Sequence, residues 1–320
     1  MDSSVEPVES THRFVEALGL QGLFDVHTHF LPPRVMAKVR HQFDTAGPLI
    51  GSAWPLEYRG DDDALVATLR GFGVRRFSSL SYAHRPGMAE FLNDWSFDFA
   101  DHTPGCLRSA TFYPEPDAAA YVGSRVEAGA EIFKLHVQVG GFDVRDPLLG
   151  ESWGLLQDAG TPVVLHAGSG PVGTAYTGPG PVSDLLTTYP RLSLVIAHLG
   201  APEYAEFLAL AEAYEHVRVD TTMVFTPFFD ALGAAFPTDL LPRLRDLRPK
   251  VLLGSDFPNI PYPYAEQLAG LARLDLGDDW LRDVCWHNGV RLLGDGYTDR
   301  SVPTADPTGE SESSVGGCAP

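Results

Sequence analysis

Eight short, β-rich apolar runs recur along the chain, each followed by a helix-like stretch, and this rhythm constrains the fold more than any other feature. The runs are Leu23–His27 (LFDVH), Val74–Leu80 (VRRFSSL), Leu107–Phe112 (LRSATF), Glu131–His136 (EIFKLH), Pro162–His166 (PVVLH), Leu192–His198 (LSLVIAH), Val217–Asp220 (VRVD) and Lys250–Asp256 (KVLLGSD). Helical patterns between them include Asp61–Gly71, Pro116–Gly129 and Pro202–Tyr214. Pro116 and Pro202 fit a first helical turn, where a missing N–H costs nothing. Strands alternating with helices imply parallel βα units. The strands are continuous apolar runs, as expected when both faces of a sheet are covered. The fold class read from this pattern is α/β, a (β/α)8 TIM barrel. It is expected as a single domain over residues 21–296, close to the ~250 residues typical of such barrels. A long first βα loop between His27 and Val74, holding Trp54 and Tyr58, is expected to help build a pocket.

The two ends differ from this body. Residues 297–320 are rich in Ser, Thr, Gly, Pro and acid, and cannot bury enough surface to offset their ordering entropy. They are expected to form a disordered tail, and residues 1–10 resemble them. Residues 1–20 read as an N-terminal extension in which 11–20 form a short helix on the body. The N-terminus has no basic segment followed by an apolar one, so a secretory leader is not expected.

Composition narrows the function classes. The 320 residues are 44% hydrophobic and 20% charged, the profile of a globular protein. With 42 acidic against 23 basic residues, the net charge is −19. Phosphate binding needs clustered Lys and Arg, so nucleic acid is not an expected partner. An anionic membrane is disfavoured for the same reason, and no apolar run reaches the ~18–20 residues of a membrane span. Cys106, Cys285 and Cys318 are too few and too scattered for a disulfide framework. A reducing cytoplasm is the expected compartment. A small-molecule substrate is the expected partner.

The candidate chemistry sits at the ends of the runs. In Asp25-Val26-His27-Thr28-His29, strand alternation points Asp25, His27 and His29 the same way. Two imidazoles so placed can chelate one divalent ion, although His-x-His also arises by chance among 11 histidines. Recurrence distinguishes the two readings. His166 and His198 each end a run, 32 residues apart, and Asp256 ends the last run 58 residues later. These ends form the face where barrel enzymes place their active sites. Three neutral imidazoles and a carboxylate (His27, His29, His166, Asp256) suit zinc or another borderline first-row metal. Lys134 and His136 share a strand face. Lys134 is read in three ways: as a partner for an anionic substrate group, as a carboxylated bridge between two metals, or as a lysine that snorkels to solvent. His136 is read as packing rather than function.

The set DVHTH, FKLH, VVLHAG, VIAHLG and LLGSDFP, with the closing Asn288–Gly294 (NGVRLLG), resembles the amidohydrolase superfamily. It is most similar to the amidohydrolase-2 family, which includes relatives of aminocarboxymuconate-semialdehyde decarboxylase. The resemblance covers nearly the whole body. It implies that His27, His29, His166 and Asp256 bind a metal, that Asp256 is the general base, and that His198 positions or activates water. It places Lys134 where binuclear members carry a carboxylated lysine. One zinc ion is the expectation, with two if Lys134 is carboxylated. The lysine in FKLH is closer to the family's hydrolases than to its decarboxylases. The expected activity is hydrolysis of an amide, ester or lactone. Non-oxidative decarboxylation of a small carboxylic acid is the alternative, and a catalytically silent binding barrel is a third reading. Oligomeric state is not readable from the sequence; dimers are common in the family and in general, which makes a homodimer the assembly to test.

Weaker candidates complete the reading. Tyr82, His84 and Arg85 read as a surface loop. Trp54 and Tyr58 are as much packing as pocket. Asp220 with Thr221-Thr222 reads equally as backbone capping and as function. His12, His41, His102 and His216 read as structural or solvated, and His287 and Cys285 as packed in the closing helix.

Overall fold

The structure is a computed structural model that describes residues 5–47 and 51–294. The expected tail at 297–320, with Cys318, lies outside the described residues.

Nine short strands form the wall: β1 (Leu23–Asp25), β2 (Val74–Ser78), β3 (Cys106–Leu107), β4 (Ser109–Thr111), β5 (Ile132–His136), β6 (Val163–His166), β7 (Leu194–Ile196), β8 (Val217–Asp220) and β9 (Val251–Leu252). All neighbouring pairs are parallel. β3 and β4 are one stave of the barrel, expected as a continuous strand and interrupted at Arg108. The Arg108 amide donates to the Glu131 carboxylate (2.9 Å) instead of entering a ladder. The last stave joins the first through Val26 N–H to the Leu253 carbonyl (2.9 Å). Nine strands thus make eight staves, and the chain forms the TIM barrel.

Alternation along the staves sorts the core into two. Ile132, Val164, Val195 and Leu252 belong to a small inner cluster that Trp286 and Leu292 also join. Phe24 packs on Trp286 with ring centroids 6.3 Å apart. The larger cluster lies between staves and surrounding helices and includes Leu135, Val163, Leu194 and Trp153. Each such side chain contributes roughly 1.5–3 kcal/mol of burial. Period two then carries chemistry to the rim: Lys134 follows Ile132, and His166 follows Val164, on the same strand face.

Several boundaries differ from expectation. The ladders end short of the expected limits, at Asp25, Ser78, Ile196 and Leu252. His198 and Asp256 have φ of 54° and 71°, left-handed values that no β ladder accommodates. Pro116 and Pro202 precede their helices, which run Ala118–Glu127 and Tyr204–Ala213. The helix Asp62–Gly71 is capped as its sequence suggests, with Asp61 accepting from the Ala64 amide (2.9 Å). The N-terminal helix begins at Val5, well before the expected Thr11, and touches the helix Tyr264–Ala272. The first βα loop contains a helix, Pro33–Thr45. Among the described residues no helix is long and apolar enough to cross a membrane.

Candidate active site

The staves and the loops that follow them deliver His27, His29, Lys134, His166, His198 and Asp256 to one cavity of about 680 Å³. Their ring nitrogens can be assigned from geometry, because a carbonyl oxygen only accepts. His29 Nδ1 donates to the Leu80 carbonyl (2.8 Å), and His198 Nδ1 to the Thr222 carbonyl (3.0 Å). His27 Nδ1 donates to Asp220 Oδ2 (2.8 Å). Each of these rings therefore presents a lone pair on Nε2. His166 is the reverse: its Nε2 donates to the Gly170 carbonyl (3.1 Å), leaving the lone pair on Nδ1.

The free lone pairs converge on a carboxylate. Asp256 Oδ1 lies 2.9 Å from His29 Nε2 and 3.2 Å from His27 Nε2. Asp256 Oδ2 lies 3.8 Å from His198 Nε2. Acceptors gathered this closely repel unless a cation stands among them. Lys134 Nζ provides one positive charge, 3.0 Å from His27 Nε2. The donor set also suits a divalent cation, since ligand atoms of His27, His29 and Asp256 all lie within 4.8 Å of one another. His166 is outside that group of three, with its ring 4.7 Å from that of His198.

Burial sets the protonation states. It lowers His27 to about 4, with Lys134 pushing the same way, so the imidazole is neutral. It lowers His198 as well, although Asp256 and Asp220 oppose it. Burial would raise Asp256, but positive charge in the cluster favours the ionised form and the carboxyl lies well below its ordinary value. Lys134 is only 1% exposed, so the snorkelling reading is overturned. Its burial lowers it to about 8, against the pull of Asp220 and Asp256.

Hydrogen bonds hold Asp256 and His198 in strained backbone conformations. Left-handed φ costs of order 1–3 kcal/mol per non-glycine residue and persists only where the surroundings enforce it. The Asp256 amide donates to the His27 carbonyl (2.9 Å), and the His198 amide to Asp220 Oδ1 (2.9 Å). Gly254 makes the approach possible, because a Cβ there would press on Thr222 Oγ1 and stand 2.9 Å from His27 Cβ.

Three residues behave differently from their sequence readings. Asp25 does not join the histidines at the mouth. It accepts from Ser255 Oγ (2.5 Å), Tyr264 OH (2.9 Å) and the His27 amide (3.2 Å), and burial raises its carboxyl to about 7. The bend after β1 is what separates its side chain from that of His27. Tyr82 is not surface loop: it lines the cavity, its ring 5.9 Å from that of His29, whereas His84 and Arg85 are exposed. His136 is not merely packed; it too lines the cavity, stacked on His166 at 3.8 Å.

Asp220 was half legible. It does cap backbone, accepting from the His198 and Thr222 amides, but it also fixes the tautomer of His27. Its position at a strand end, like His166, was the available signal. Trp54 lines the cavity with Phe43 and donates to the Asn259 carbonyl (2.9 Å), while Tyr58 packs on Phe257. The helix Pro33–Thr45 supplies further wall residues, so the first βα loop does build the pocket.

A parallel barrel with a buried histidine–carboxylate centre at the C-terminal ends of its strands defines the class. The chain belongs to the amidohydrolase-2 family, whose amidohydrolase profile matches residues 24–294. It is similar in structure to an uncharacterised TIM-barrel protein from Bordetella bronchiseptica (17% identity, TM-score 0.67, covering 85% of this chain and 98% of that one). It is also similar to 2,6-dihydroxybenzoate decarboxylase from Rhizobium (15%, 0.60, 86% and 99%). A third is a probable 2-pyrone-4,6-dicarboxylic acid hydrolase from Acinetobacter baumannii (16%, 0.55, 85% and 99%). At these identities the likenesses speak to the fold. Against curated proteins the chain has no match.

Proposed function

We propose that the protein is a metal-dependent hydrolase that opens a neutral ester, amide or lactone carrying an apolar, ring-sized group. One observation carries the choice over decarboxylation. Among the described residues lining the cavity, Lys134 is the one Lys or Arg, and it lies buried against His27. A decarboxylase must hold an anionic carboxylate, for which a planar Arg fork is the usual clamp. Here the outer walls are instead apolar: Phe43, Trp54, Met223, Phe229 and Leu232.

His27, His29, His166 and Asp256 would hold one ion, and the imidazole–carboxylate set favours zinc. Such an ion supplies Lewis acidity and brings the pKa of water from 15.7 to ~7. The chain's own groups do the rest. Asp256, ionised and reaching all three Nε2 atoms, takes the proton of the attacking water and returns it to the leaving group. His198, neutral with its lone pair on Nε2, accepts a hydrogen bond from that water and orients it. Lys134 places positive charge where the carbonyl oxygen becomes negative. A small-molecule substrate suits a cavity of about 680 Å³. The free, buried thiols of Cys106 and Cys285 support a reducing compartment such as the cytoplasm.

Metal analysis of chelator-free protein, coupled to a panel of aryl esters, lactones, amides and aromatic carboxylates, tests the proposal. Expected are about one zinc per chain, hydrolysis of neutral members, and loss of activity on chelation with recovery on adding zinc. Release of CO₂ without hydrolysis would replace the hydrolase by the decarboxylase. A chain that holds and takes up no metal would leave a binding barrel.

A further inference from the structure

We infer that His136 is a substrate-contacting hydrogen-bond donor that selects for an oxygen atom on the ring-sized group. This rests on the hydrolase reading for the identity of the substrate, but not for the donor itself. His136 ends β5 and lines the cavity. Its Nδ1 accepts the Val139 amide (3.4 Å), the first turn of the short helix that follows. A neutral imidazole has one proton, so that proton is on Nε2. An Nδ1 that accepts carries no proton, so the ring is in its neutral form. The resulting Nε2–H meets no acceptor among the described residues.

An N–H that faces the cavity and has no protein acceptor is available to donate to a bound molecule. The ring is also held on two sides. It stacks on His166 at 3.8 Å and 12°, and packs against Tyr82 at 5.0 Å. A donor clamped this way is pre-oriented and loses little freedom on binding. His136 touches His166, which in turn touches His198. It is therefore separated from His198 by the His166 ring. Its acceptor is a second oxygen on the substrate, such as an ether, hydroxyl or ring carbonyl, and not the scissile carbonyl. The preferred class is then an oxygenated aromatic ester or lactone rather than a plain hydrocarbon one.

The test uses a pair of probes that cannot be hydrolysed, 4-methoxyacetophenone and 4-ethylacetophenone, titrated into the metal-loaded protein by ligand-observed NMR. The parent should bind the methoxy ketone about five- to tenfold more tightly, the discrimination one neutral hydrogen bond gives. His136→Asn keeps an acceptor near the Nδ1 position but has no donor at Nε2, and should erase the preference. His136→Gln restores a donor there and should recover part of it. Metal content should be unchanged in both variants. In parallel, hydrolysis of 4-methoxyphenyl and 4-ethylphenyl acetate should show His136→Asn raising KM for the methoxy ester alone, with kcat within about threefold. No preference in the parent, or a preference that survives His136→Asn, overturns the inference. Failure of both ketones to bind overturns it together with the apolar-ring substrate class. Correct ketone discrimination without ester hydrolysis leaves the donor standing and removes the hydrolase reading.

Discussion

Asp220→Asn tests the electronic logic of the site at a residue that need not touch a metal or substrate. In the parent, Oδ1 accepts from the His198 and Thr222 amides (2.9 and 3.1 Å), and Oδ2 accepts from His27 Nδ1 (2.8 Å). An asparagine has the same shape but only one acceptor. If its oxygen stays on the two backbone amides, its NH₂ faces His27 Nδ1–H, donor against donor. His27 relieves the clash by moving its proton to Nε2, where the NH₂ can then donate to Nδ1. That tautomer has no lone pair to offer the cavity. Binding a metal would force the proton back and restore the clash, worth about 1–3 kcal/mol. This corresponds to roughly 5- to 150-fold in metal affinity and overlaps the 10–100-fold typical of residues that orient a ligand from behind. The metal-free protein should lose less than this, because the shape and the two backbone hydrogen bonds are kept, although the negative charge that favours the buried Lys134 goes. Zinc affinity would be read by competition with a chromogenic chelator, and stability by urea unfolding of chelator-treated protein. Parent-like affinity, within twofold, would refute the tautomer argument. Equal losses in stability and affinity would reduce Asp220 to a scaffold residue.

Other consequences can be checked alongside. Asp256→Asn should lower turnover by about 10²–10⁴-fold while leaving the urea midpoint of chelator-treated protein close to the parent's, since it removes the proton acceptor but keeps the shape. Gly254→Ala should cost about 1–3 kcal/mol of stability and lower zinc content, because the added methyl displaces Thr222 or His27. Asp25→Asn should change the pH dependence of stability. Burial raises the parent carboxyl from 3.8 to about 7, so the folded state binds the proton more tightly than the unfolded one. That contribution is complete below pH 4 and is lost as pH rises through 7. The variant lacks it, so its unfolding free energy relative to the parent should grow across this window in metal-free protein. A flat difference from pH 4 to 7 would sink the assignment.

Much of this was legible in the sequence because periodicity is local. The alternation of Ile132 with Lys134 and of Val164 with His166 can be read without any partner, and it points to the mouth. The recurrence of His and Asp at run ends carried the rest. What could not be read depends on distant pairs and on dihedral angles. Nothing near His27 announces that Asp220, 193 residues away, sets its tautomer. His198 and Asp256 look like strand residues by composition, and only their left-handed φ shows that they lie beyond the ladders. Asp25 obeyed the period-two rule on paper. The bend at Val26 separated it from His27, and a bend leaves no hydrophobic trace. Arg108 sits in an ordinary strand pattern, and the Glu131 side chain that interrupts it comes from the next stave.

The helix Pro33–Thr45 and Trp54 have a bearing on how such a protein can change. The histidines, lysine and carboxylate of the candidate site come from the ends of separate staves, scattered through the chain. One wall of the cavity comes from a single stretch between β1 and β2. Substitutions there can alter the cavity wall while the histidine–carboxylate cluster stays intact. Selectivity and reactivity are inherited from different parts of the gene, so grafting this one loop between barrels is a direct route to exchanging the first without the second.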